Sequence, residues 1–278
     1  MWSSGFLPAL YQGVEFNSAG SPVHHLEPGV PLPPGQQRDN LDLLAKLNEL
    51  HKKEHPRETE LDARIQNYEL AARMQITASD VVDLSKEPEA TRKLYGLDNP
   101  ITAPYGTRCL MARRLIEAGV RFVQIFPPVA SWDHHSDIKS GLESMCGQCD
   151  QGSAALIHDL KERGLLDSTI VMWTGEFGRL PITQGGSGRD HNRYGFSLVM
   201  AGGGFKKGFV YGETDEFGYK AVTNRVSVPD LHATILSQLG IDHNQVGYPF
   251  HGILETTTDA KVNGAKVVNA LLASPAKA

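Results

Sequence analysis

Three short stretches carry the side chains best suited to chemistry: Trp132-Asp133-His134-His135, Gly175-Glu176-Phe177-Gly178-Arg179 and Gly188-Arg189-Asp190-His191. Together their carboxylates and imidazoles make a mixed oxygen and nitrogen donor set. Carboxylates neutralise a cation and neutral imidazole nitrogens set its geometry. That combination suits Zn, Mn or Fe better than Ca, which prefers oxygen alone. A metal held there polarises a phosphoryl or sulfuryl oxygen, or lowers the pKa of a water to about 7. Arg179 and Arg189 are the candidate anion-binding residues, each able to grip an oxyanion as a bidentate fork. Plainer readings stand beside this one. Asp133 can cap a helix start, and Arg179 or Arg189 can simply pair with Glu176.

These stretches share a position relative to apolar runs. Residues 121–126, 169–173 and 196–200 read as short apolar strands, the first stopped by Pro127-Pro128. Helical patterns cover 107–118, 137–163 and 228–239, closed by Gly119, Gly164 and Gly240. Helices alternating with fully apolar strands predict an α/β fold with a mainly parallel central sheet flanked by helices. In open sheets of that kind ligands lie beyond the carboxyl ends of the strands. The first two stretches follow predicted strands and the third immediately precedes one, so all three are expected at one edge.

The remaining chain frames that core, which is expected over residues 101–278. Residues 1–40 are rich in Gly and Pro and predict an irregular wrapping segment. Residues 41–100 read as a helical insertion. Asn40 is the expected cap of a helix bearing Leu41, Leu44, Leu47 and Leu50, a second helix starts near 58, and Glu87-Pro88 opens a third.

Composition excludes several classes. A formal charge of −5 over 278 residues argues against nonspecific nucleic-acid binding. No apolar run approaches the roughly 20 residues that span a bilayer, and no signal peptide is visible at Met1. The 3 cysteines are too few for a disulfide framework, and Cys146-Gly147-Gln148-Cys149 lacks a second ligand pair and falls within a predicted helix. Gly202-Gly203-Gly204 lacks phosphate-loop spacing and reads as a turn.

Longer motifs carry a resemblance. Arg64-Ile65-Gln66-Asn67-Tyr68-Glu69-Leu70-Ala71-Ala72-Arg73, Leu94-Tyr95-Gly96-Leu97, Ala112-Arg113-Arg114-Leu115-Ile116-Glu117-Ala118-Gly119 and Asp230-Leu231-His232-Ala233-Thr234, with the three stretches above, resemble one bacterial family over nearly the whole chain. That family is the uncharacterised domain of unknown function fifteen-oh-one, sulfatase-like proteins of the alkaline phosphatase superfamily. The resemblance implies a metal-dependent hydrolase of phosphate or sulfate esters, with a small-molecule or polysaccharide ester as substrate. It implies Asp133 and His135 as one metal-binding pair, and Glu176 where the superfamily has the Asp of an Asp-His-Gly turn. His191, with Asp190, stands as the later ligand. The implied cofactor is a divalent metal, with Zn, Mn and Ca left open.

Two departures shape the expectation. Phe177 stands where the superfamily has a second-site histidine. No Gly-Gly-Pro-Ser-type segment with a metal-binding Asp and a nucleophile is found in residues 1–40, so the chain is expected to correspond to the C-terminal portion of an alkaline phosphatase-like fold and to lack its nucleophile. Full-length relatives are expected to be exported. The alternatives are a non-catalytic binding module for anionic, sulfated glycans and a truncated inactive fragment.

Overall fold

Helical periodicity, glycine stops and short apolar runs decide most of the elements in the computed structural model. It describes residues 35–55, 81–127 and 132–275, together with residues 7, 11–18, 20, 23, 32–33 and 68. The chain divides into two compact units, one of Met1–Glu89 and Leu110–Gln124, the other of Ala90–Cys109 and Ile125–Ala278. The expected helical region 41–100 is therefore shared between them.

In the first unit, helix α1 spans Gln36–Glu54. It begins after Gly35, whose φ of 86° is open to glycine at no steric cost, so Asn40 lies inside the helix and not at its cap. None of its residues is buried, and Leu43, Leu47 and Leu50 are exposed. The second helix expected near 58 lies outside the described residues. The unit's core is Val82, Met111 and Leu115, with Phe16, Val81 and Val123 packed against it. Beside this core sits a charged group: Arg113 pairs with Glu87 (2.6 Å) and Glu117 (2.6 Å), and Arg114 pairs with the other oxygen of Glu87.

Helix α2 (Glu89–Leu94) comes next in the chain, following Pro88 as a first-turn proline predicts. Helix α3 (Ala103–Glu117) runs through the division between the units and is closed by Gly119 at φ 89°. Helix α4 (Ile138–Glu162) buries Cys149, Gly152, Ala155, Leu156, Asp159 and Leu160, a stripe at helical spacing, and Gly164 ends it at φ 70°. Its buried Asp159 accepts from the Tyr95 hydroxyl (3.1 Å) and from Arg163 Nε (2.8 Å), so the acid carries partners into the interior. Burial pushes the Cys109 thiol up to about 12 and raises Cys149 as well. The Cys-x-x-Cys pair thus lies on a helix with one buried, unactivated thiol, which favours a packing role.

Among the described residues the strands form four antiparallel pairs. Strand β1 (Ile170–Trp173) pairs with β4 (Val199–Gly202), matching Ile170 with Gly202 and Trp173 with Val199. β2 (Gly178–Arg179) pairs with β3 (His191–Asn192), β5 (Glu213–Thr214) with β6 (Ala221–Thr223), and β7 (Gly247–Phe250) with β8 (Ile253–Thr256). The strand expected at 169–173 is present as β1, whereas the one expected at 196–200 begins only at Val199 and runs on to Gly202 as β4. Residues 122–127 carry no strand ladder. Met172, Trp173 and Val199 are exposed, so apolar composition here does not mean burial on both faces.

Helix α5 (Val228–Gln238) begins at a reciprocal cap: Ser227 Oγ accepts from Asp230 N (3.1 Å) and the Asp230 carboxylate accepts from Ser227 N (3.0 Å). Helix α6 (Ala260–Asn263) is a single turn. Among the described residues no helix is long and apolar enough to cross a membrane.

Candidate metal centre

The site is assembled by one hairpin and the segment leading into α4. β2 and β3 place Arg179 directly opposite His191 and Gly178 opposite Asn192. The register leaves no room at Gly178, where a Cβ would stand 2.4 Å from the Gly195 carbonyl. Between the strands, Gln184 and Gly188 exchange backbone hydrogen bonds of 2.9 and 2.8 Å around Gly185 and Gly186, both at positive φ.

This loop docks on the Asp133 segment. Arg189 N donates to the His134 carbonyl (3.0 Å), Ile138 N donates to the Ser187 carbonyl (3.2 Å), and Asp137 N donates to Ser187 Oγ (2.9 Å). Gly188 is required by that approach, since a Cβ there would sit 1.9 Å from the His135 carbonyl oxygen. Side chains alternate along the docked segment. Asp133 and His135 face the hairpin, whereas the His134 ring lies against Gly141 of α4.

Three side chains converge. Asp133 Oδ1 lies 3.0 Å from His135 Nε2 and 3.0 Å from His191 Nε2, and the two imidazole nitrogens are 3.2 Å apart. This near-equilateral triangle is the only group of its kind among the described residues. Its edges approach the roughly 3.3 Å that separates ligands around a tetrahedral ion with bonds of about 2.0–2.1 Å. The donor set therefore fits a zinc-sized divalent ion with an open position.

Hydrogen accounting points the same way. His135 Nδ1 lies 2.6 Å from Gln184 Oε1, an acceptor, so Nδ1 carries a hydrogen, and in the neutral ring Nε2 presents a lone pair. The Asp133 oxygen opposite it is also an acceptor. Two lone pairs at 3.0 Å require a proton or a metal ion between them. Arg179 Nη2 supplies one positive charge, 2.6 Å from the same Asp133 oxygen. Hydrogen bonds from His191 and Arg179 hold the Asp133 carboxyl down to about 2, so it is ionised as a ligand must be.

The other predicted residues are placed less centrally. Asp190 accepts from its neighbour His191 N (2.8 Å), and its Oδ1 stands 4.0 Å from His135 Nδ1, at the edge of the group. Glu176 is exposed on the bend between β1 and β2, outside the three-ligand group. Arg189 folds onto the Gly188 carbonyl (2.8 Å) and does not reach the triangle. Arg179 pairs with Asp133 and not with Glu176, the simpler partner read from sequence. Asp133 caps nothing: the residue before α4 is Asp137, and its side chain makes no cap bond.

Phe177 packs its ring 4.2 Å from that of His191, and the Arg179 guanidinium lies 5.8 Å from the Phe177 centroid. Gln184 escaped the sequence reading. A glutamine in a glycine-rich loop carries no periodic or motif signal, and only the hairpin's return brings it to His135.

With this geometry in hand, comparison with known proteins gives one result. A family profile described as "Protein of unknown function (DUF1501)" matches residues 1–272. No curated protein and no solved structure matches.

Proposed function

The chain belongs to the DUF1501 family of proteins of unknown function, and from that premise we propose that Asp133, His135 and His191 form the divalent-metal centre of a phosphate- or sulfate-ester hydrolase. The observation that carries this reading is the triangle of one carboxylate oxygen and two imidazole nitrogens, with edges of 3.0, 3.0 and 3.2 Å. The ion, when bound, supplies Lewis-acid polarisation of an ester oxygen. Gln184 fixes the His135 tautomer, Asp133 contributes negative charge, and Arg179 stands beside the centre as an anion-binding fork. An exposed rim lets an ester reach the centre, since all three ligands are exposed. An alkaline phosphatase-like arrangement, with a parallel sheet behind the site, belongs to the same proposal.

The test is metal analysis of the protein after dialysis against Zn, Mn or Ca, followed by turnover of aryl phosphate and aryl sulfate. One equivalent of metal, lost in His135→Ala and His191→Ala, and hydrolysis of either ester support the proposal. Absence of bound metal under all three conditions overturns it. A second reading, a non-catalytic module for anionic glycans, is favoured by one observation: the Phe177 ring packs against His191, at the position where the resemblance implies a second-site histidine. Bound metal with no turnover of either ester selects that reading.

A further inference from the structure

The hairpin that carries His191 and Arg179 continues into an aromatic platform that the metal centre does not use. Tyr194 and Tyr219 stack with ring centroids 5.6 Å apart and planes 27° apart, yet both side chains remain 49% and 41% exposed. Arg193 caps the pair, its guanidinium 5.1 Å from the Tyr194 centroid and its Nη2 3.3 Å from the Tyr194 hydroxyl.

This platform is built and not incidental. Asn192, 2% exposed, follows His191 directly, and its amide does two jobs. Its Nδ2 donates to the Tyr219 carbonyl (2.7 Å) and its Oδ1 accepts from Tyr194 N (3.0 Å). Ala221 N donates to the Tyr194 carbonyl (2.9 Å), locking the β5–β6 hairpin to the same segment. A buried amide therefore orients both tyrosines from the residue next to a metal ligand.

The geometry points to a saccharide-binding subsite, so that the ester recognised by this protein is a phosphorylated or sulfated sugar of two or more rings. This inference rests on the metal-centre reading and specifies its substrate. Tyr194 is the third residue after His191, which limits their Cα separation to about 11 Å, roughly the span of two linked sugar rings. Half-exposed tyrosine rings match the apolar C–H faces of pyranoses, and the Tyr219 hydroxyl offers a hydrogen bond to ring hydroxyls. Arg193 adds a cation for a second anionic group along the chain. A flat protein partner would ask for a broader apolar patch with fewer charges at its centre.

The experiment compares binding of a monosaccharide sulfate, a sulfated disaccharide, an unsulfated disaccharide and an aryl sulfate by calorimetry. It uses metal-loaded wild type, Tyr194→Ala, Tyr219→Ala and His191→Ala. The expected result is disaccharide binding about tenfold tighter than aryl sulfate in wild type. That advantage disappears in both tyrosine variants while their metal content stays at the wild-type value. His191→Ala should lose metal but keep measurable affinity for the unsulfated disaccharide. Equal affinity of wild type for disaccharide and aryl sulfate overturns the subsite even if the metal centre is real. Loss of metal binding in wild type overturns the centre, and tyrosine-dependent sugar binding that persists there leaves the platform standing as a saccharide site. Tyr194→Phe and Tyr219→Phe keep the ring faces, so retained affinity in them guards against a folding artefact, and loss equal to the alanine variants counts against stacking.

Discussion

Two clusters of charge, one in each unit, answer the same elementary problem in opposite ways. Around Glu87, every acceptor meets a donor: Arg113 and Arg114 each take one carboxylate oxygen, and the second nitrogen of Arg113 is held by Glu117. Arg113 and Glu87 are buried at 2% and 5% side-chain exposure, so their charges survive only because they are matched. Around Asp133, a carboxylate oxygen and two imidazole nitrogens crowd together at the surface within about one hydrogen-bond length, with the Arg179 guanidinium on the same oxygen. The first arrangement matches charge with charge in the interior. The second lies open to solvent, and on the proposed reading it receives a cation.

Several measurements sharpen or break that contrast. The largest effect belongs to the buried cluster. Arg113→Met should lower unfolding free energy by about 3–5 kcal/mol, because Glu87 is left in the interior with half its compensation gone. A loss below about 1 kcal/mol in urea titration would show that the group is not the matched network described. At the surface the ranking reverses between stability and binding. His191→Ala should weaken metal binding by more than about 100-fold while moving the metal-free melting temperature by no more than about 2 °C, as an exposed substitution does. A large melting shift in the metal-free protein would recast the triangle as structural.

Smaller effects probe the supporting residues. Gln184→Leu releases the His135 tautomer and should cost about 10–100-fold in metal affinity, measured by competition with a chelating dye. Unchanged affinity would remove Gln184 from the site. Arg179→Met removes the cation that shares the Asp133 oxygen with the incoming metal, so metal affinity should rise about threefold. A fall would assign Arg179 to orienting the carboxylate. The smallest effect is a pH dependence. Burial raises the Glu87 carboxyl, but hydrogen bonds from Arg113 and Arg114 outweigh it and leave the group below its ordinary 4.5. A depressed folded value means the stabilisation is full above about pH 4.5 and is lost as pH falls through the lower folded value. Glu87→Gln should flatten that acid limb of the stability curve.

Much of the local structure was legible from residue types. Helices α3, α4 and α5 begin and end within a few residues of their predicted bounds because glycine stops and 3.6-residue periodicity are local signals. α1 shows the limit: Gly35 starts it earlier than Asn40, since a glycine at positive φ redirects the chain as readily as a capping amide does. The apolar runs at 169–173 and 196–200 were found, but their antiparallel pairing and the exposure of Met172 and Trp173 were not. A run of apolar residues states a preference for burial and names no partner.

The site divides along the same line. Sequence alone determined the donor types: carboxylates and imidazoles beside the apolar runs were candidates by their chemistry, and the family resemblance implied Asp133, His135 and His191 as ligands. Arg179 was a candidate anion-binding residue. Only the tertiary structure decided which candidates meet: it chose those three, set Asp190 at the margin, left Glu176 and Arg189 outside, and recruited Gln184. The physical reason is distance along the chain. Asp133 and His191 are 58 residues apart, and their 3.0 Å contact is fixed by a hairpin register and a loop docked through backbone hydrogen bonds, which no residue type announces.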